Sequence, residues 1–242
     1  SITEYRYRGA SPKNYVTFNN ETWRIIGIFP TDDGTGKIEN RIKLIKDQSI
    51  GDKEWNTEKV SSTSNYNNWM GATLQTELNT TYLTGLTSET QTMIGNAKYY
   101  LGGHKDNPKI QKDVMYQYER KINGSAYYYG TNPNSWIGKL ALMYASDYGY
   151  AASDECTQDL YYYNAETCKT NNWLYNIKKS EWILPQNADN YGVAFFVNDG
   201  AVLDDLVYVM TQLGVRPVLY LTPVVQITGG SGTSDNPYTL GL

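Results

Sequence analysis

One histidine, two cysteines and four phenylalanines stand in a chain of 242 residues, and each scarcity narrows the chemistry available. Ser-His-Asp and Cys-His arrangements would both have to use His104. That residue lies between "LGG" and "KDNP", the setting of an exposed turn after a helix. A metal site would want more ligands, and His104 is far in sequence from Cys156 and Cys168. No stretch concentrates lysine or arginine, and a formal charge of −4 with a pI near 5.1 argues against a nucleic-acid partner. No apolar run reaches membrane-spanning length, so the chain reads as soluble. It begins without Met and without a signal-type leader, which reads as a mature or partial chain.

What the chain has in place of phenylalanine is tyrosine, 23 residues of it, crowded into "AYYYG" (126–130), "SDYGYA" (146–151) and "LYYYN" (160–164). Tyrosine offers a large flat face, a hydroxyl and little rotamer entropy to lose, which suits it to binding surfaces. The bland alternative is that about half of these rings pack over a β-core with only the hydroxyl wet. Cys156 and Cys168 bracket one such loop, "DECTQDLYYYNAETC". Their spacing is wider than the C-x-x-C of a redox dithiol and reads as a local disulfide, stabilising by about 3 kcal/mol and implying an oxidising compartment. Two unpaired thiols are the alternative.

Hydrophobic alternation places a hairpin over 14–29, with "WRIIGIF" as a buried strand that gives Trp23 a structural role, and a third strand over 41–47. Two helices are expected next. The first spans 67–83, with Asn67 or Asn68 as N-cap and Trp69, Leu74 and Leu78 on one face. The second spans 87–103, capped by Thr87 or Ser88 and stopped at Gly102-Gly103, with Met93, Ile94, Ala97 and Leu101 inward. The region 104–213 is rich in Asn, Asp, Ser, Gly and Tyr, with strand-like pieces at 139–151, 181–185 and 192–198. Trp136, Trp173 and Trp182 mark its loops as ordered and pinned to a core.

The closing strands fall in 214–240, opening with "GVRPVLYL". Pro217 cannot donate to a ladder, so it belongs at an edge, a bulge or the start of a strand. Arg216 is expected to reach carbonyls or an acid of its own chain, a structural role. The whole is a single α+β domain, 1–242: antiparallel sheet, two helices, long ordered loops, and N- and C-terminal strands paired.

The blocks "YVTFNNETWRIIGIF", "IKLIKDQSIG", "NNWMGATLQTELN", "MYASDYGYA", "GVRPVLYL" and "ITGGSGTSDNPYTL", in this order, resemble a family of uncharacterised surface domains of Gram-positive bacteria. That resemblance implies a C-type lectin-like fold, of the branch that includes sulfatase-modifying and retroelement-diversified proteins, and a place on the bacterial cell surface. It implies a ligand face just before "GVRP", over 186–213. The sulfatase-modifying chemistry needs paired active-site thiols, which a locally bridged Cys156–Cys168 would not supply, so no enzyme activity is assigned.

Acids that could serve a hydrolase, Asp199 with Asp204 and Asp205 or Asp147 with Asp154 and Glu155, are close in sequence, but Asp in such segments more often serves turns and caps. Calcium needs six to eight oxygens. "QNADN" (186–190) and "VNDG" (197–200) supply some, while Glu-Pro-Asn, Trp-Asn-Asp and EF-hand spacings are missing, so no cofactor or metal is assigned. The expected activity is non-catalytic recognition: an adhesin binding a host or neighbour-cell glycan or protein through Tyr148, Tyr150, Trp173, Tyr191, Asn198, Asp199 and Tyr208. In "DDLVYVMTQL" (204–213), Tyr208 and its alternate neighbours would face outward. The alternative is a pilin-like or cell-wall subunit that self-assembles.

Overall fold

The computed structural model describes residues 3–58, 66–204 and 210–242. Strand Tyr15–Phe18 turns back on Glu21–Asp32, Tyr15 opposite Arg24 and Phe18 opposite Glu21. Asn19 and Asn20 both sit at φ 55°, the left-handed pair whose twist suits a two-residue hairpin, and asparagine tolerates it better than most side chains. Ile38–Lys46 pairs antiparallel along the other edge of Glu21–Asp32, completing the expected three-stranded unit. Val218–Tyr220 then lies beside Ile38–Lys46, and Leu140–Ala141 lies beyond it.

A second sheet runs Ala201–Leu203, Ala194–Asn198, Glu181–Gln186, Leu213–Gly214, Asp52–Lys53, antiparallel except where Leu213–Gly214 meets Glu181–Gln186. The chain leaves this sheet at Gly214 and enters the first at Val218, so Pro217 stands in the crossing, where its missing N–H breaks no ladder. Its carbonyl still accepts from Lys46 N–H at 3.0 Å. Residues 214–221 are buried throughout because one half is covered in each sheet.

The C-terminal segment returns to the N-terminal hairpin, and it meets the second strand rather than the first. Thr17 N–H donates to Tyr238 O and Tyr238 N–H to Tyr15 O, at 2.9 and 2.8 Å. The first strand, Tyr5–Arg6, pairs with Glu21–Asp32 instead. Gln226–Gly229 and Thr239–Gly241 form a separate two-stranded ribbon across the Gly/Ser turn.

The helical expectations hold in part. A 3-10 turn Trp69–Gly71, with Asn68 accepting from Met70 N–H, is separated by extended Ala72 from a continuous helical run: an α-helix Thr73–Glu77, a π turn Leu78–Tyr82 and a last α turn Leu83–Gly85. The expected 87–103 helix stops early. Thr87 caps a helix of only Ser88–Met93, and Ala97–Tyr100 is a strand pairing with Ser135–Gly138. Gly95 and Asn96 interrupt the helix, and the alternation that buries Ala97 and Tyr99 is a period-2 pattern hidden inside a plausible 3.6 one. Gly102 and Gly103 permit close approach: a Cβ would stand 2.2 Å from Tyr118 O and 1.9 Å from Gln186 O. Among the described residues three further α-helices arise in the loop-rich region, Lys112–Glu119, Ala145–Tyr150 and Glu166–Lys169, the second within the stretch expected as strand.

Between the sheets and helices lies an aromatic core. Trp55 packs edge-on against Trp69 and Trp182, and Trp69 against Trp136. Indole N–H bonds pin two tryptophans, Trp182 of strand Glu181–Gln186 to Lys53 O and Trp173 to Tyr7 O, both at 2.8 Å. Trp23 is fully buried, edge-on to Phe18. Cys156 and Cys168 are joined by a disulfide at 1.97 Å. The fold is α+β, with mainly antiparallel sheets and few, short helices.

Candidate functional site

Helix Ala145–Tyr150 packs on Lys112–Glu119, and each contributes a buried carboxylate, Asp147 and Glu119. Asp147, at the third helical position, accepts from Tyr144 N–H at 3.0 Å and so caps its own helix. Its carboxylate meets Lys43 Nζ at 2.5 Å and Arg6 Nη1 at 2.9 Å. Burial by itself would raise Asp147, yet the two cations outweigh it and hold the group at about 2. Glu119 is the opposite case. Burial lifts it above its ordinary value, and Arg120 together with the Ser146 N–H and hydroxyl offsets only part of that.

Above these charges opens a cleft of about 250 Å³. Phe29, Tyr144 and Tyr220 are buried rings along it, and half-buried Tyr100 and Tyr116 are its more exposed rings. The Arg120 guanidinium threads between them, 3.5 Å from the Tyr116 ring centre, 4.9 Å from Tyr144 and 5.5 Å from Tyr100. Burial pushes the Tyr116 hydroxyl up to about 12 and raises Tyr144 and Tyr220 as well, so these phenols stay protonated near neutral pH. Glu4, Asp32 and Lys98 also line the cleft, which therefore carries two cations and two anions. Glu4 is held by Arg6 at 3.2 Å and by the Tyr116 hydroxyl at 2.6 Å, while Asp32 accepts from Gly34 and Gly36 N–H. Planar rings and fixed charges thus surround a space that is half apolar wall and half hydrogen-bonding edge.

No hydrogen bond or ring contact joins the described residues expected to bind ligand to one another; each has other partners. Tyr148 is a correction: it is fully buried, its hydroxyl donating to Gly200 O at 2.9 Å, so its ring is core and not contact surface. Trp173 is largely buried as a pin. Tyr150 lies half-buried with its ring 4.7 Å from the Arg6 guanidinium, and Tyr191 leans on Tyr129 with its carbonyl accepting from Asn67 N–H. Asn198 and Asp199 share an exposed turn, Asn198 accepting from the Ser180 hydroxyl at 2.8 Å and Asp199 from the Tyr175 hydroxyl at 3.0 Å. Tyr208 and Asp205 lie outside the described residues, as do the others of 205–209.

Arg216 is buried in a bidentate pair with Glu181, at 2.6 and 2.8 Å, and donates to Leu174 O at 2.7 Å. His104 is less free than a bare turn residue. Its ring stacks on Tyr118, and Nδ1 accepts from Asp106 N–H at 3.1 Å. Among the described residues no group of three or more His, Cys, Asp or Glu side chains is placed to hold a metal ion. In "QNADN", the Asn187 amide is committed internally: its oxygen accepts from Asp189 and Asn190 N–H, and its nitrogen donates to Lys105 O and to Asp204. Among the described residues no helix is long and apolar enough to cross a membrane.

The cleft residues were not legible as a site. Tyr100, Tyr116, Arg120, Tyr144 and Tyr220 come from four separate stretches, and only the Tyr116/Arg120 spacing of four along a helix was a local signal. Comparison with protein-family models, with curated proteins and with solved structures returns no match.

Proposed function

We propose that this chain is a non-catalytic recognition module of C-type lectin-like architecture that binds a neutral saccharide unit of a glycan in the Tyr-walled cleft. The observation that carries this reading is the convergence of Tyr100, Tyr116, Tyr144, Tyr220 and Phe29 with charges that balance one another. A sugar ring presents an apolar C–H face, which stacks on aromatic rings, and an edge of hydroxyls, which hydrogen-bond to fixed ionic groups. Balanced charge favours an uncharged partner, since a net charge on the ligand would meet no compensating excess. The two acids on the wall are already engaged, Glu4 with Arg6 and Tyr116 and Asp32 with its turn, which favours holding a ligand over exchanging protons with it.

The Lys43–Asp147 and Arg120–Glu119 pairs support this role by fixing the floor before ligand arrives, so that little ordering is left to oppose binding. The disulfide is consistent with work in an oxidising setting, as a bacterial surface protein would do. The two-sheet α+β layout, with the chain's end folded back on the N-terminal hairpin, supports the C-type lectin-like reading.

A screen of neutral and acidic glycans, run with calcium and with chelator, tests the proposal. The expected result is saturable, chelator-insensitive binding without turnover of the saccharide, weakened about tenfold by Tyr100→Ala or Tyr116→Ala through loss of one stacking face. Hydrolysis of a bound glycan would overturn the non-catalytic reading. The self-assembling alternative has its own surface, the cross-strand pair Tyr5 and Ile28, 64% and 37% exposed on the edge of the first sheet. Concentration-dependent assembly by sedimentation, lost in Tyr5→Lys, together with no glycan hit, would favour it.

A further inference from the structure

A second hollow, of about 190 Å³, opens where the two sheets are joined, with Arg24 and Arg216 on its lining and Trp173, Tyr175, Lys178 and Asp47 around them. Arg24 is held flat. Its guanidinium lies 3.7 Å from the Tyr15 ring centre and 4.8 Å from that of Trp173, and Nε donates to Asn14 Oδ1 at 2.8 Å. Among the described residues its terminal nitrogens have one charged partner, the Asp47 carboxylate, 3.6 Å from Nη1. Arg216 spends Nε and Nη2 on Glu181 and Leu174 O, and its Nη1 has no hydrogen-bond partner among the described residues. Both side chains are more than nine-tenths buried, at 8% and 6% exposure. Lys178 is exposed and makes no ion pair among the described residues.

Three cations therefore meet here with two carboxylates, Asp47 at the rim and Glu181 behind Arg216, on a chain whose overall charge is −4. Among the described residues no unpartnered nitrogen of Arg24 or Arg216 is sealed from solvent, so these donors stay open on the hollow's lining to a planar two-oxygen acceptor, whose geometry a guanidinium matches. Burial and the nearby Arg216 both pull Arg24 below its usual value, which a bound anion would reverse. One surplus positive charge matches one negative charge, so a carboxylate fits better than a doubly charged phosphate. The Trp173 and Tyr175 rings and the side chains of Gln48 and Asn176 extend the lining with the stacking and amide groups that a hydroxylated ring uses.

We propose that this hollow is a second binding site, separate from the Tyr-walled cleft, that takes the carboxylate of an acidic sugar, with Arg24 as the principal contact and Arg216 and Lys178 as supporting charges. The proposal does not depend on the cleft's occupant.

The experiment is a titration of the whole chain with glucuronate at low salt, followed by Trp fluorescence and by amide NMR shifts. Saturable binding is expected, with shifts at Trp173 and Tyr175, weakening as salt is raised. Arg24→Gln is expected to weaken it by about tenfold or more, the loss of a charge-assisted contact. Lys178→Ala, at an exposed position that leaves the fold intact, is expected to weaken it by about two- to threefold, as a partly screened charge does. Tyr116→Ala leaves it unchanged. Glucose binding as tightly as glucuronate, or no saturable shift with glucuronate, overturns the proposal. Tighter capture of N-acetylalanine than of glucuronate also overturns it, assigning the site to peptide carboxylates.

Discussion

Lys43 Nζ lies 2.5 Å from Asp147 Oδ2 with each side chain only 1% exposed. A charge pair taken this far from water survives only if both ions are well coordinated. Here Arg6 and the Tyr144 N–H complete the carboxylate, while the rings of Tyr144 and Tyr220 lie 4.3 and 5.1 Å from the ammonium. The pair ties the second strand of the sheet's central hairpin to helix Ala145–Tyr150, and the cleft floor rests on it.

Acid should expose this arrangement. Asp147 is held at about 2, below the ordinary aspartate value of 3.8, so the unfolded chain binds more protons between these values. Its contribution to stability is present above pH 3.8 and is lost as pH falls through 2. Glu119 has the opposite sign: its folded value is raised above 4.5, so its contribution declines as pH rises from 4.5 through that raised value. Urea unfolding measured across pH is expected to show Asp147→Asn flattening the acid limb below about pH 4 and Glu119→Gln flattening the fall above about pH 4.5.

Arg216 and Glu181 join the second sheet to the crossing that feeds the first. Arg216→Met strands a buried carboxylate and is expected to cost about 3–5 kcal/mol in urea unfolding. Adding Glu181→Leu should restore most of that loss, because the double replacement leaves no orphaned charge. Equal losses that simply add would contradict the pairing.

The Cys156–Cys168 bridge spans a sequence separation of 12, and both residues are buried against the core. Replacing both with Ala is expected to destabilise the chain by about 3 kcal/mol, the loop-closure entropy of a ring this size. Thiol reagents should reduce the native bridge slowly, at the rate at which the loop opens.

Tyr148→Phe removes only the hydroxyl that donates to Gly200 O. Because that carbonyl loses its partner inside the core, about 1 kcal/mol of stability should disappear. Glycan affinity should stay as in the parent, the outcome that separates a core tyrosine from a binding one.

Local pattern carried much of the fold. The Asn19-Asn20 hairpin, the Ile38–Lys46 strand, the Asn68 and Thr87 caps, the pinning tryptophans and the placement of Pro217 next to a strand start all follow from short-range rules. Ala97–Tyr100 was misread because its pairing partner, Ser135–Gly138, is 38 residues away, and a seven-residue window fits both periods. Tyr148 as a binding residue fails for a related reason. Tyr148 and Tyr150 are one helical step apart, yet one hydroxyl reaches a buried carbonyl while the other ring sits against Arg6. Counting tyrosines in loops could not separate them, and the cleft's own rings come from strands and helices that meet only in three dimensions.

The most direct test of the account is a calorimetric titration of the parent chain and of Tyr100→Ala/Tyr116→Ala with the best neutral saccharide from the screen. The account predicts saturable binding by the parent and its loss in a variant whose circular dichroism and urea midpoint match the parent's. Unchanged affinity in that variant would contradict it and remove the Tyr-walled cleft as the binding site.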